Sequence, residues 1–208
     1  MTLAEFQDFL VRFDTDEDLL DFCRKHILHG IPFVFSGRDD DFYEFRKRIA
    51  TKFEISFHEI YVIGSAKLGF SSFKNTLFDY DSDIDIAIVS DKLFENIMAN
   101  IAKYQMRIRK SRAKVSDDEI EMYHVFLEYI AIGWMRPDKL PVSFQMKSMK
   151  DDWFGFFRDI SNGKSEVGNY RVNAGVFKSY KHLETYIVSG LEIAKRREIA
   201  RQYNDSSD

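Results

Sequence analysis

Apolar residues recur at helical spacing from the first turn of the chain. Leu3, Phe6, Phe9, Leu10 and Phe13 share one face of a helix over residues 2–13. Thr15 with Asp18 three positions on has the form of a capping box. Leu19, Leu20, Phe22, Cys23 and Ile27 then carry a second helix, which Gly30 and Pro32 stop. A third begins at Asp39, where DDDFYEFRKRIATKF sets acids at the positive end of the helix and bases further on. The period then changes. EIYVIGS (59–65) and DIDIAIVS (83–90) are short, β-branched and bounded by turn formers, as strands are. After Ser90, Leu93, Phe94, Ile97, Met98 and Ile101 return to helical spacing. Ser116 and Glu119 open another capped helix carrying Ile120, Tyr123, Phe126, Leu127 and Ile130 and ending near Gly133. RPDKLP (136–141) is a turn-rich connection, VSFQM (142–146) alternates and predicts a third strand, and DDWFGFFRDI predicts a short helix. SNGK (161–164) reads as a loop, and residues 174–202 predict a long final helix or helix pair, with a break near Gly190.

A chain of 208 residues suits one mixed domain with appended helices. Three stretches follow from the pattern: a helical lead-in (1–55), a strand-bearing core (56–146) and a C-terminal helical region (147–208), packed as one unit. Apolar residues at 45% suffice for a core and exclude wholesale disorder. A formal net charge of -4 gives no general field for binding polyanions, so any such contact must be local. Cys23 is the single cysteine, which excludes an intramolecular disulfide and a cysteine-cluster metal site. The N-terminus lacks a cationic segment followed by an apolar one, and no apolar run is long enough to span a bilayer. The expectation is a cytoplasmic protein with no membrane partner.

The chemistry concentrates in two stretches. IGSAKLGFSSF places Gly64 and Gly69 at the spacing of a P-loop, but Phe70 and Ser71 stand where the phosphate lysine and its Ser or Thr would follow. Downstream, Asp83 and Asp85 are two apart on a strand, so both carboxylates share a face, roughly 6.5–7 Å apart at their Cα atoms. Two neighbouring carboxylates repel unless a cation lies between them. Hard oxygen ligands in such a pair suit Mg²⁺ (or Mn²⁺), completed by substrate phosphates. The alternative is a solvated strand end with Asp as turn former. On the first reading Gly64 lets backbone approach a triphosphate, the Ser65 hydroxyl and nearby N–H groups hold it, and metal on Asp83 and Asp85 neutralises it. Lys67 is a candidate phosphate contact, with a solvated lysine as the alternative. KYQMRIRKSRAK (103–114) carries six cations and reads either as a grip on a nucleic-acid acceptor or as a charged connector. Arg171, Lys178 and Lys181 precede or open the final helix.

Gly64-Ser65 followed by Asp83-Ile84-Asp85 on the next strand resembles the nucleotidyltransferase fold of the DNA polymerase beta superfamily. The longer string VIGSAKLGFS…SDIDIAIVS is similar to stand-alone bacterial nucleotidyltransferases, several of them in toxin–antitoxin or anti-phage defence settings. The resemblance covers about residues 59–90. It implies an α+β fold: a small mixed β-sheet with helices on one face, flanked by N- and C-terminal helices. It also implies a function, transfer of a nucleoside monophosphate from an NTP such as ATP to an acceptor hydroxyl, with pyrophosphate released. Asp83 and Asp85 would be the catalytic metal ligands, and Gly64, Ser65 and Lys67 the nucleotide contacts. Family members carry a third acid on a later strand. At the expected strand, 142–146, Ser143 or Gln145 stands in its place. Asp81, Asp138 and Asp151 are candidates to reach in from elsewhere. The departure raises a second reading, a catalytically weak subunit that binds or regulates a protein partner or a second copy of itself.

Overall fold

The computed structural model describes residues 1–110, 116–140 and 144–205. In chain order it runs α1 (Leu3–Arg12), α2 (Asp16–Phe22), α3 (Asp39–Phe53), β1 (Ile60–Ile63), α4 (Gly64–Leu68), β2 (Phe70–Ser71), β3 (Thr76–Leu77) and β4 (Asp83–Val89). It continues with α5 (Asp91–Arg109), α6 (Asp117–Ala131), β5 (Trp134–Met135), α7 (Phe144–Asp159), β6 (Arg171–Phe177) and α8 (Tyr180–Asp205). Capping boxes open α2 at Thr15 and α6 at Ser116, as their sequence signatures predict, and Thr2 opens α1 the same way. A π-helical turn, Cys23–Leu28, prolongs α2.

The architecture is α+β. Its main sheet has strand order β1-β4-β6-β5, with β1 and β5 antiparallel to their neighbours and β4 parallel to β6; β2 and β3 form a separate hairpin. Alternation along β4 divides the core. Ile84, Ile86 and Ile88 point to one face and pack with Ile49 of α3, Phe94 and Ile97 of α5, and Trp153 and Phe157 of α7. Ala87 points to the other, among Phe6 and Leu10 of α1, Phe22 of α2, and Leu183 and Ile187 of α8. Helices therefore cover both faces of the sheet, where the resemblance implied one. The apolar faces of α1, α2 and α8 bury each other and the second face of the sheet together.

Two sequence expectations are corrected. The predicted strand at 142–146 is not found: 141–143, including Ser143, lie outside the described residues, and from Phe144, through Gln145, the backbone is helical. The strand beside β4 comes instead from Arg171–Phe177, part of which read as the start of the final helix. Val172 and Val176 bury into the sheet, and Gly175 is required because a Cβ there would lie 2.6 Å from Nε1 of Trp134. The helix begins only at Tyr180, after Ser179, whose carbonyl accepts from the Leu183 N–H and whose hydroxyl lies 2.7 Å from Nδ1 of His182. It runs through Gly190 without a break. Trp153 and Phe157 are core residues, 5% and 3% exposed, while Phe154 between them faces outward. No helix among the described residues is long and apolar enough to cross a membrane.

Candidate functional site

Antiparallel pairing brings the two sequence motifs together. Ile63 at the end of β1 pairs with Asp85 on β4, so Gly64, the next residue, emerges beside the Asp85 side chain. Gly64 has φ +66°, and a Cβ built on it would sit 3.3 Å from Asp85 Oδ2. Only glycine both adopts this backbone readily and leaves the carboxylate room. Gly64 and Ser65 open the short α4, and among the described residues the Ser65 hydroxyl takes no partner.

Parallel pairing supplies the third side. Asp83 is in register with Arg171, and Asp85 with Asn173. Arg171 closes on Asp83 as a fork: Nε donates to Oδ1 at 2.9 Å and Nη2 to Oδ2 at 2.5 Å. Asn173 Nδ2 donates to the same Oδ2 at 3.2 Å. Asp85 is reached by water from the cleft, yet protein walls crowd it on the remaining sides. That crowding, and then the charge of Asp83, push its carboxyl up to about 6; Arg171 and Lys74 pull in the other direction.

The pair opens into a cleft of about 1100 Å³. One wall is the end of the sheet, with Gly64, Asp85, Arg171 and Asn173; the other is α8, from Thr185 to Arg197. Trp134 lines its side, stacked on Phe177 with centroids 5.8 Å apart. Phe73, at the tip of the β2–β3 hairpin, reaches the mouth, where the Arg197 guanidinium carbon sits 4.1 Å from its ring centroid. Trp134 is thus a cleft wall, and Trp153 is a core residue whose edge also reaches the cleft lining.

Other expectations land elsewhere. The Lys67 amine donates to the backbone carbonyls of His29 and Gly30. The side chain is buried, and burial lowers its amine to about 8. It ties α4 to the end of the π-helical turn, a role that neither a phosphate contact nor a solvated lysine describes. Phe70, at the P-loop lysine position, is a core residue of β2, 2% exposed. Asp138 lines the cleft but its carboxylate is taken by Arg136, with Nε–Oδ1 at 3.1 Å and Nη2–Oδ2 at 2.8 Å. Asp151 pairs with Lys147 at 2.7 Å, and Asp81 sits in an exposed turn. Lys103, Arg107 and Arg109 lie on α5 and Lys110 caps its C-terminus, all away from the cleft lining; Arg112 and Lys114 are outside the described residues. Sequence reasoning missed Asn173, and its available signal was the alternation of Val172, Ala174 and Val176 around it.

Comparison with protein-family models, with curated proteins and with solved structures finds no match.

Asp83 and Asp85 are the hard oxygen donors that a divalent ion would use here, with Asp83 paired to Arg171. Asp83 and Asp85 present carboxylates on one face, and Gly64 keeps the space beside Asp85 clear. Two carboxylates with phosphate and water suit the six-fold shell of Mg²⁺. Among the described residues no group of three or more acidic, His or Cys side chains is gathered at one point, so the pair stands without a third protein ligand of those types.

The strained charge has a stability cost. Because the folded-state value of Asp85 lies above its unfolded value near 3.9, its contribution to stability is present at low pH and lost as pH rises through about 6. Asp85→Asn should therefore raise the melting temperature in metal-free buffer at pH 7.5. The expected gain is about 2–4 °C, equivalent to about 1 kcal/mol for a chain of this size, with full linkage discounted because water screens the group. The gain should shrink toward zero at pH 4. Thermal melts followed by circular dichroism decide it, and an unchanged melting point at pH 7.5 would show that Asp85 carries no uncompensated charge.

Proposed function

We propose that the chain binds a nucleoside triphosphate together with Mg²⁺ or Mn²⁺ at the Asp83–Asp85 end of the cleft. Transfer of the nucleoside monophosphate to an acceptor hydroxyl is slow in the isolated protein. The observation that carries this reading is the same-face pair Asp83 and Asp85 set against the Cβ-free backbone of Gly64. Gly64 and Ser65 offer N–H groups and a hydroxyl to phosphate oxygens. Asp83 and Asp85 would hold the ion, which when bound would supply positive charge against the triphosphate. The reaction supported is in-line attack: an acceptor oxygen bonds to the α-phosphorus, the bond to the β-phosphate bridging oxygen breaks, and pyrophosphate leaves. Removing the acceptor's proton is the step this chain is poorest in. Asn173 stands in register with Asp85 as a neutral amide, and an amide is no base.

That same residue favours a second reading, a nucleotide-binding subunit that regulates a protein partner. The two are separated by incubating the purified chain and Mn²⁺ with each α-labelled NTP, with and without cell lysate. Slow label transfer by the chain supports the enzyme. Metal-dependent binding by calorimetry with no transfer in either setting supports the regulatory subunit. Absence of any metal-dependent binding removes both.

A further inference from the structure

Asp83 already has a cation. Both of its oxygens are occupied from β6, Oδ1 by Arg171 Nε and Oδ2 by Arg171 Nη2 and Asn173 Nδ2. A divalent ion competes with that fork for Asp83, because three donors already take most of its lone-pair sites and the guanidinium charge repels the ion. The Arg171 side chain is 67% exposed and Asp83 32% exposed, so the pair is weakly held and the arginine has room to swing away. Arg171 also lines the cleft, beside Gly64 and Asp85. A guanidinium released there faces the space assigned to the triphosphate and matches phosphate oxygens as well as it matches a carboxylate.

Resting on the reading above, we infer that Arg171 is a latch coupling metal binding to triphosphate binding: metal takes Asp83 as the phosphates take Arg171. Neither ligand alone binds well. Metal alone must break the fork with nothing to receive the arginine, and triphosphate alone, by drawing Arg171 away, leaves Asp83 without its cation beside Asp85. Together each removes the obstacle to the other. Such exchange is reciprocal, so the factor by which triphosphate strengthens metal binding equals the factor by which metal strengthens triphosphate binding.

The test uses the full chain with Arg171→Gln, and Lys74→Gln as control. Lys74 acts on Asp85 through its charge, and no hydrogen bond joins it to Asp83 or Asp85 among the described residues. Mn²⁺ affinity without nucleotide is read from the electron paramagnetic resonance signal of free Mn²⁺. Affinity for inorganic tripolyphosphate, with and without saturating Mn²⁺, is read by calorimetry. Arg171→Gln is expected to raise Mn²⁺ affinity in the absence of phosphates about tenfold and to shrink the coupling by a similar factor, whereas Lys74→Gln changes Mn²⁺ affinity less than about threefold. Circular dichroism should show both variants folded, since the replaced side chains are exposed. Unchanged Mn²⁺ affinity in Arg171→Gln overturns the latch, and so does an equal rise in Lys74→Gln, which would make the effect a general one of charge. If Arg171→Gln gains Mn²⁺ affinity but tripolyphosphate binds neither protein, there is no second ligand to couple and both the latch and the nucleotide reading fall; unchanged Mn²⁺ affinity with metal-dependent tripolyphosphate binding intact overturns the latch alone. If neither protein binds Mn²⁺ in any setting, both fall.

Discussion

Replacing Asp83 and Asp85 together by Asn should lower affinity for NTP in Mn²⁺ at least about a hundredfold, because an amide is a poor ligand for a hard divalent ion. Asn keeps the shape of each side chain. The core face of β4, Ile84, Ile86 and Ile88, is untouched, so the sheet should remain folded. The substitution also releases Arg171, which then faces the cleft without its carboxylate. Residual binding is therefore expected to rest on that arginine and to be indifferent to EDTA, whereas binding by the unaltered chain should be lost in EDTA. Calorimetry on both proteins, with and without chelator, gives four numbers that decide the matter. Full affinity in the double variant, still sensitive to EDTA, would place the metal elsewhere.

The second large effect is a gain. Asn173→Asp sets a third carboxylate on β6, in register with Asp85, on a neighbouring strand about 4.8 Å away. It supplies both a metal ligand and a group able to accept the acceptor's proton. General-base assistance is typically worth about 10²–10⁴ in rate, and pyrophosphate release by Asn173→Asp should exceed that of the parent by about a hundredfold or more. The same change adds negative charge beside Asp83 and Asp85, so the variant should melt lower in EDTA and recover in Mn²⁺. A variant that takes up no extra metal and transfers no faster would show that β6 is not the missing side of the site.

Half of this site was legible in the sequence, for a physical reason. Ile84, Ile86 and Ile88 alternate with Asp83 and Asp85, and that period fixes both the strand and the face its acids share. Gly64 was legible too, from the glycine-framed stretch IGSAKLGFSSF at the end of a β-branched run. The parallel partner was not. RVNAGVF contains Asn, Ala and Gly, which are weak strand formers. Its strand character comes from burial between β4 and β5 and from the Trp134 indole pressed on Gly175, neither of which is a local property. VSFQM failed in the opposite way. A five-residue alternation also fits the entry to a helix, and α7 begins within it. The fate of Lys67 was hidden for a similar reason, since the carbonyls that bind it belong to the end of a π-helical turn 37 and 38 residues earlier.

The parallel pairing of β4 with β6 also bears on the order in which the protein is made. β1 and β4 can pair as soon as residue 89 is free, which sets Asp83 and Asp85 side by side. Arg171 is 88 residues further along the chain than the carboxylate it neutralises. Pairing across so long a separation is slow, and synthesis itself delays it. A nascent chain therefore carries the acidic pair with β1 on one side and no arginine on the other until β6 has emerged. The same insertion that completes the central sheet completes the cleft, so a molecule that has not finished folding has no finished site to fill.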